Sequence, residues 1–447
     1  MKLQFLTALL ASSLLYAETS IEAPPAAPAP AKTTEVAPTP EPSPAPQPEP
    51  KPVSEPKPLG TAANNGLAWL AKTQNADGGW GQGGGWRVNL SNGQGGGRVE
   101  GADVADPSDI GNTAIVLQAF IRAGFRADKG EYSAVTSRAA EFILSQVEKC
   151  DSDTLFVTDV RDTQLQSKIG RYVDTFLAAQ ILSELKGQLS EANEARRAKL
   201  LDKVIAKIEK HQNDEGAFAG NSGWAATLSQ GICSNALNSA FAAGAKIKAE
   251  TLEKDHLQNA DGLDRQTGTV AAGRAVGDAG VDIYRYASKL RGMTGYAWTN
   301  DKRRQELNTV VNSPTASDNE KEQASDELKK IDRSDADQQV LLKQVAAKAG
   351  EQKFVNGFGN NGGEEFISYM NIGEALRSEG GEAWTNWDAK MTKTLNDAQN
   401  ADGSWSGQHC ITGRTFCTAS ALMVLMTDRA PVPVESPIAA KDGQDQQ

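Results

Sequence analysis

The hydrophobic positions of this chain form six segments in which apolar and small residues occupy every face of a helix. Segments with a single apolar face separate them. A helix that is apolar all round must be buried, whereas an amphipathic helix keeps one face in water. The buried segments are predicted at residues 110–124, 171–185, 227–244, 280–292, 364–378 and 415–426. Alternating β-branched runs, which are typical of strands, are nearly absent. The pattern therefore predicts an all-α protein.

A recurring turn sequence after the amphipathic segments predicts how the helices are arranged. Residues 64–81 read NNGLAWLAKTQNADGGWG, and residues 394–407 read TLNDAQNADGSWSG. Residues 207–220 (KIEKHQNDEGAFAG) are a degenerate copy with Phe218 at the tryptophan position. Repetition of one supersecondary unit indicates a repeat architecture whose neighbouring units bury a common core. Six buried helices alternating with six amphipathic ones predict a single (α/α)6 toroid, with six inner and six outer helices.

These repeats resemble the QW motifs of squalene–hopene cyclases and of prenyltransferase β-subunits. The matching residues are Trp69, Leu70, Gln74, Gly78, Gly79 and Trp80 in the first copy and Gln399, Gly403 and Trp405 in the last. The resemblance implies the terpenoid cyclase/prenyltransferase toroid over residues 59–430. We expect Gln74, Gln212 and Gln399 to bond to neighbouring helix ends while Trp80 and Trp405 pack over the turns, so that adjacent helix pairs are clamped together.

The catalytic motifs of the two families do not accompany the repeats. The cyclases protonate a polyene with an Asp-x-Asp-Asp motif, which this sequence lacks. The prenyltransferases bind zinc through an Asp-x-Cys pair and a later histidine, and Cys233 has no aspartate two residues before it. A fold alone does not determine function. The first hypothesis is a binding or scaffolding protein without cyclase chemistry and without a cofactor. The alternative is an enzyme acting on an isoprenoid or a polysaccharide in the central cavity.

The two ends of the chain predict an exported protein with flexible flanks. Residues 1–17 combine Lys2, an apolar stretch and a small residue at Ala17, as a signal peptide does. Periplasmic or secreted localisation follows, and a retained N-terminal membrane anchor is the alternative. Residues 18–58 form a Pro/Ala-rich disordered linker, and the tail at 431–447 has a similarly unstructured composition. No other segment is long and apolar enough to span a membrane.

The net charge of the chain limits the classes of partner that it is expected to bind. The chain of 447 residues carries a formal net charge of −11. Nucleic-acid binding needs a basic surface that neutralises phosphates, and none is predicted. The ligand is therefore expected to be a small molecule, a lipid or a protein. The most highly charged stretch, at about 299–350, is predicted to be a helical insertion at the surface of the toroid.

Inner helices of a toroid begin at one rim, so their first turns converge on the central cavity. The rim candidates for binding or catalysis are Asp106, Asp109, Asp174, Asp282, Glu365 and Arg414, with Glu364 and Tyr284 beside them. Capping of helix N-termini is the alternative role of each acid, because these positions favour negative charge and oxygen acceptors.

The segment 403–422 (GSWSGQHCITGRTFCTASAL) concentrates reactive side chains before the last inner helix. His409 and Cys410 together with a carboxylate are candidate ligands of a zinc ion. Cys410 and Cys417 are the first candidates for a disulfide, because an exported chain meets an oxidising compartment. Buried free thiols and simple closure of the ring between the last and first repeats are the alternatives.

Overall fold

The computed structural model describes residues 56–84, 106–271, 276–359 and 361–431. The predicted signal peptide, nearly all of the linker and nearly all of the tail lie outside the described residues. Within these ranges the chain forms helices and no strand. The helices are α1 (Thr61–Lys72), α2 (Ile110–Arg122), α3 (Ser133–Lys149), α4 (Gln164–Lys168), α5 (Val173–Glu184), α6 (Glu191–His211), α7 (Ala226–Ala242), α8 (Ala249–Ala260), α9 (Asp282–Val311), α10 (Asp318–Lys348), α11 (Gln352–Val355), α12 (Gly363–Glu379), α13 (Gly381–Ala398) and α14 (Arg414–Leu425), followed by a 3-10 turn (Thr427–Arg429).

The six helices predicted to be buried form a closed inner ring. α2 packs against α5, α5 against α7, α7 against α9, α9 against α12, and α12 against α14, which returns to α2. In α5 every residue from Val173 to Ser183 is buried. A helix without a polar face is stable only where neighbours cover all its sides, and the ring provides that cover. The all-α toroid predicted from the sequence is therefore confirmed.

The amphipathic helices α1, α3, α6, α8, α10 and α13 lie outside this ring, each packed on inner helices. α6 shows the division of faces: Leu200, Val204 and Ile208 are buried, whereas Lys199 and Lys210 are not. Positions four residues apart share one face of a helix, so the apolar stripe lies against the inner ring. In the described part of the chain, no helix combines the length and the apolar character needed to cross a membrane.

The charged stretch forms the far half of α9 and the near half of α10. α9 does not end near residue 292 as predicted but continues to Val311, and it pairs with α10. A separate small core of Leu307, Ala324 and Ile331 joins the two helices. Ion pairs such as Arg303–Glu327, at 2.7 Å, link them across the surface. The charge thus belongs to a long helical hairpin.

Three glutamines connect consecutive outer helices around the ring. Each stands after the end of one outer helix and donates its side-chain N–H to a carbonyl in the first turn of the next. The Nε2 donors and carbonyl acceptors are Gln74 and Val135 at 2.9 Å, Gln212 and Thr251 at 3.2 Å, and Gln399 and Ala62 at 2.9 Å. The last of these contacts joins the final outer helix to the first. The contribution of these bonds to stability stays a prediction.

The two repeat tryptophans make matching contacts. Trp80 Nε1 donates to the Leu70 carbonyl at 2.9 Å, and Trp405 Nε1 donates to the Leu395 carbonyl at 2.8 Å. Both indoles are fully buried. Each therefore covers the end of its own outer helix and gives that helix a hydrogen-bond donor for one of its terminal carbonyls.

Candidate functional site

One group of ionisable side chains meets at the rim where the inner helices begin. Glu364 and Glu365 stand in the first turn of α12, and His409 lies in the turn before α14. Their nearest ligand atoms all lie within 4.8 Å of one another, and His409 Nε2 is 3.3 Å from Glu365 Oε2. Both carboxylates are completely buried, and the His409 side chain is 16% exposed. We call these three residues the Glu-Glu-His cluster.

Glycines allow this close approach. A Cβ on Gly362 would lie 2.6 Å from His409 Cε1 and 2.7 Å from Glu365 Oε2, and one on Gly359 would lie 2.9 Å from His409 Cδ2. Any larger residue at Gly362 would collide with the imidazole. The local sequence also favours acids here, since the N-terminus of α12 carries partial positive charge. The Gly-Gly-Glu-Glu run therefore both begins the helix and makes room for the histidine.

Part of the cluster is held by fixed donors. Glu365 Oε1 accepts hydrogen bonds from the Phe358 amide, at 2.9 Å, and from the Tyr284 hydroxyl. Glu364 Oε2 accepts one from the Ile411 amide at 3.2 Å. These contacts leave one oxygen of each carboxylate facing the cluster.

The facing atoms have no hydrogen-bond partner among the described residues. They are Glu364 Oε1, Glu365 Oε2 and both ring nitrogens of His409. The 3.3 Å approach of the histidine to Glu365 lacks the orientation of a hydrogen bond. Buried polar atoms are nearly always satisfied, so these atoms are the candidate ligand atoms of the rim.

The electrostatics of the cluster also favour a cation. Burial, followed by the charge of Glu365, raises the pKa of Glu364 to about 8. Burial, followed by the charge of Glu364, raises the pKa of the Cys410 thiol to about 12, so this cysteine is a neutral neighbour at physiological pH. Two adjacent carboxylates in a buried site are stable only when a proton or a cation compensates their charge.

An aromatic wall stands beside the cluster. The Phe358 ring is 5.2 Å from the His409 ring and 4.9 Å from the Trp224 ring, and Trp224 in turn contacts Tyr284. Phe358 is 57% exposed, which is unusual for a large apolar side chain. The cluster therefore lies close to solvent, next to the exposed Phe358 ring. The sequence carried no signal for Phe358, because it lies in a turn without periodicity.

The other rim candidates are not part of this cluster. The Asp106 carboxylate accepts from the Gln82, Gly83 and Gly84 amides and orders that turn. Asp282 pairs with Arg285 at the surface, and Arg414 bonds to Asp402 at 2.7 Å. Asp106 therefore binds backbone amides of a turn, whereas Asp282 and Arg414 form ion pairs, and none of the three side chains caps a helix N-terminus in the described chain. Of the six rim candidates, the structure brings only Glu365 into the Glu-Glu-His cluster.

Asp109 and Asp174 form a second buried acid pair elsewhere on the rim. Asp109 caps α2 by accepting from the Asn112 amide at 2.7 Å, and Asp174 accepts from the Gly111 amide at 2.8 Å. Burial, followed by the charge of Asp174, raises the pKa of Asp109 to about 8. Burial also raises the pKa of Asp174. Donors from neighbouring residues satisfy both carboxylates.

The two cysteines of the closing segment have different surroundings. The Cys417 thiol donates to the Ile411 carbonyl at 3.4 Å, and Cys410 adopts a left-handed backbone with a φ of 48°. No disulfide joins these two residues in the described chain. The bridge stays a prediction. Of the zinc candidates, His409 faces the two glutamates, whereas Cys410 lies beside Glu364.

Comparison with known proteins adds one structural likeness. No protein-family profile and no curated protein matches the chain. Among solved structures, it is similar to a type II terpene cyclase from Scytonema in its apo form. The two share 12% identity, the match covers 82% of this chain and 96% of that one, and the TM-score is 0.29. The architecture described above rests on the helix packing of this chain itself.

Proposed function

We propose that the protein is an exported toroid binding protein whose ligand at the inner rim is a divalent transition-metal ion. The ion is held by Glu364, Glu365 and His409. The observation that carries the proposal is that one ligand atom of each of these residues lies within 4.8 Å of the others. Each residue also has a buried ligand atom without a hydrogen-bond partner in the described chain. Export rests on the predicted signal peptide at residues 1–17.

The donor set selects the kind of ion. Calcium and magnesium prefer sites built from oxygen alone, whereas an imidazole with carboxylates suits zinc and its neighbours. Tetrahedral zinc with bonds of about 2.0–2.2 Å places its ligand atoms roughly 3.3 Å apart. His409 Nε2 and Glu365 Oε2 already have that separation, at 3.3 Å. Zinc is therefore an ion whose tetrahedral geometry this pair of ligand atoms fits.

Three hydrogen-bond donors around the cluster hold the two carboxylates in position. The Phe358 amide and the Tyr284 hydroxyl fix the far oxygen of Glu365, and the Ile411 amide fixes that of Glu364. Such contacts orient carboxylates toward a metal and keep them from rotating away.

Isothermal titration of the metal-free full chain with zinc chloride tests the proposal. The expected result is one zinc ion per chain, with at least a tenfold loss of affinity in Glu365→Gln and in His409→Ala. Asp282→Asn is the matched control, because it removes a carboxylate from the same rim outside the cluster. Absence of stoichiometric binding, or equal affinity in all four proteins, would show that the cluster is not a metal site.

A second candidate is an enzyme that acts on an isoprenoid or a polysaccharide at this rim. The exposed aromatic edge of Phe358 beside His409 favours it, because such surfaces bind apolar chains and sugar rings. Three protein ligands leave a fourth zinc position open, as in catalytic sites. Turnover of either substrate class by zinc-loaded protein, lost in His409→Ala and reduced in Phe358→Ala, would establish it. Metal binding without any turnover would favour the binding function over the enzyme.

A further inference from the structure

A second polar cluster lies inside the ring near the opposite ends of the inner helices. Its members are spaced so that those of one helix share a face. They are Gln118 and Arg122 on α2, Gln180 and Glu184 on α5, Arg291 and Trp298 on α9, and Asn371 and Glu374 on α12. Asn371 stands about 9 Å beyond Glu365 along the axis of α12, at about 1.5 Å per residue. The cluster is therefore separate from the Glu-Glu-His cluster.

Its centre is a buried triad of charges. Arg122 Nη2 donates to Glu374 Oε1 at 2.7 Å, and Arg291 Nη2 forms an ion pair with Glu374 Oε2 at 3.0 Å. The three residues are 9%, 6% and 4% exposed. Glu374 thus uses both oxygens, and each guanidinium uses one of its nitrogens. Glu184 is a second carboxylate whose pKa responds to the charges of both guanidinium groups.

Four other donor atoms of the cluster lack an acceptor in the described chain. Arg122 Nη1, Arg291 Nε and Nη1, and Asn371 Nδ2 are buried and have no hydrogen-bond partner within the described chain. One oxygen of the neighbouring Glu184 carboxylate is engaged, because Glu184 Oε1 accepts from Gln118 at 3.2 Å and from Gln180 at 3.1 Å. Every unpartnered side-chain atom of these residues is a donor. Since each buried donor left unsatisfied is costly, the cluster lacks an acceptor-rich group.

We propose that this end of the ring binds the carboxylate or phosphate group of a small ligand between Arg122, Arg291 and Asn371. Guanidinium groups match the planar geometry of such oxyanions and bond to them with two N–H groups. Trp298 and Glu184 are only partly buried, so the ligand enters beside them. The Arg291 guanidinium lies over the Trp298 ring at 5.4 Å, which keeps it oriented toward the centre.

Burial raises the pKa of Glu184, and the charges of Arg122 and Arg291 oppose that rise. Burial also acts to raise the pKa of Glu374, but the charges of Arg291 and Arg122 outweigh it and lower that pKa. The proposal therefore depends on the unpartnered donors of the cluster and not on a count of its charges.

Calorimetric titration and thermal shift of the full chain with inorganic phosphate and with acetate test this site, at an ionic strength held constant with sodium chloride. Saturable binding of either anion, with a rise in the melting temperature, is expected. Binding of acetate alone would identify the carboxylate as the recognised group, and binding of phosphate alone would identify the phosphate.

Asn371→Ala is the most informative variant, because it removes an unpartnered donor and leaves the Arg–Glu–Arg triad intact. Its dissociation constant for the anion should rise about tenfold, as loss of one hydrogen bond to a charged group predicts. Arg291→Lys, which keeps the charge without the planar fork, should also bind more weakly. The exposed Asn308→Ala on α9 is the matched control and should titrate like the wild type.

Two results would overturn the inference. One is a melting temperature that phosphate and acetate raise no more than chloride does, which would mean that water alone satisfies these donors. The other is an Asn371→Ala protein that binds the anion as tightly as the wild type. Zinc titration of Asn371→Ala should be unchanged, so failure of this site and failure of the metal site are distinguishable.

Discussion

Gln399 donates its side-chain N–H to the carbonyl of Ala62, at 2.9 Å, and thereby joins the last outer helix to the first. The same amide group also bonds to the Gly403 carbonyl at 2.8 Å within its own turn. The two residues are far apart in the sequence, so this bond closes the ring. Trp405 packs at the same junction, close enough that a Cβ on Gly66 of α1 would lie 2.8 Å from its ring.

Breaking this junction should destabilise the whole toroid. Trp405→Ala removes a fully buried indole and should lower the free energy of unfolding by about 3–5 kcal/mol. Gln399→Ala should cost about 1–2 kcal/mol, because two carbonyls lose their donor. Urea denaturation followed by circular dichroism measures both. The exposed Gln352→Ala is the control, and an unchanged midpoint in Trp405→Ala would refute the clamp.

Gly362 should control metal affinity without controlling the fold. Its backbone is extended, with a φ of −143°, so alanine adopts this conformation without backbone strain. The added Cβ would displace the His409 ring, which lies 2.6 Å from its position. Zinc affinity of Gly362→Ala should fall at least tenfold while the melting temperature of the metal-free protein changes little. Gly277→Ala, where a Cβ meets nothing within 4 Å, is the matched control. Wild-type zinc affinity in Gly362→Ala would contradict the arrangement.

The Asp109–Asp174 pair should make stability depend on pH. The pKa of Asp109 is raised to about 8 in the folded chain, whereas an unfolded aspartate titrates at about 3.9. Between these values the folded chain holds a proton that the unfolded chain has released. The contribution to stability is therefore complete below about pH 4 and is lost as the pH rises toward 8.

Asp109→Asn isolates this effect, because asparagine is an equally good N-cap and does not titrate. Urea denaturation at several pH values between 5 and 8 should show a shallower decline than in the wild type. The slopes of the free energy of unfolding against pH in the two proteins should differ by up to about 1.4 kcal/mol per pH unit, which is the value for one proton. The exposed Asp153→Asn should keep the wild-type slope. Identical slopes in Asp109→Asn and wild type would mean that Asp109 is ionised in the folded chain.

The predicted disulfide between Cys410 and Cys417 has a direct test. Oxidation would remove the bond from the Cys417 thiol to the Ile411 carbonyl and would draw Cys410 away from Glu364. Peptide mapping of the exported protein under non-reducing conditions should find the two cysteines in one cross-linked peptide. Alkylation of both thiols in the unfolded, unreduced protein would contradict the bridge and would leave Cys410 as a neutral neighbour of the metal cluster.

The local pattern of the sequence predicts most of the helices. α2 begins at Ile110, where the predicted segment begins, and α14 begins at Arg414, one residue before its prediction. Apolar periodicity and turn residues are local properties, so they mark these starts well. α9 was predicted to stop near residue 292 and instead continues to Val311. The charged stretch was correctly expected to be helical, but its continuity with the inner helix depends on pairing with α10, which a local pattern does not show.

The sequence by itself determined the all-α class, the alternation of buried and amphipathic helices and the candidacy of Glu365 and His409. Only the tertiary structure decided that His409 meets Glu364 and Glu365, and that Arg122 meets Glu374 across the ring. The reason is physical. Helix formation and burial follow from the spacing of neighbouring residues, whereas these contacts depend on how each helix is rotated and on how the ring closes. Helix rotation and ring closure are set by packing among all the helices, so the sequence of a single segment does not determine them.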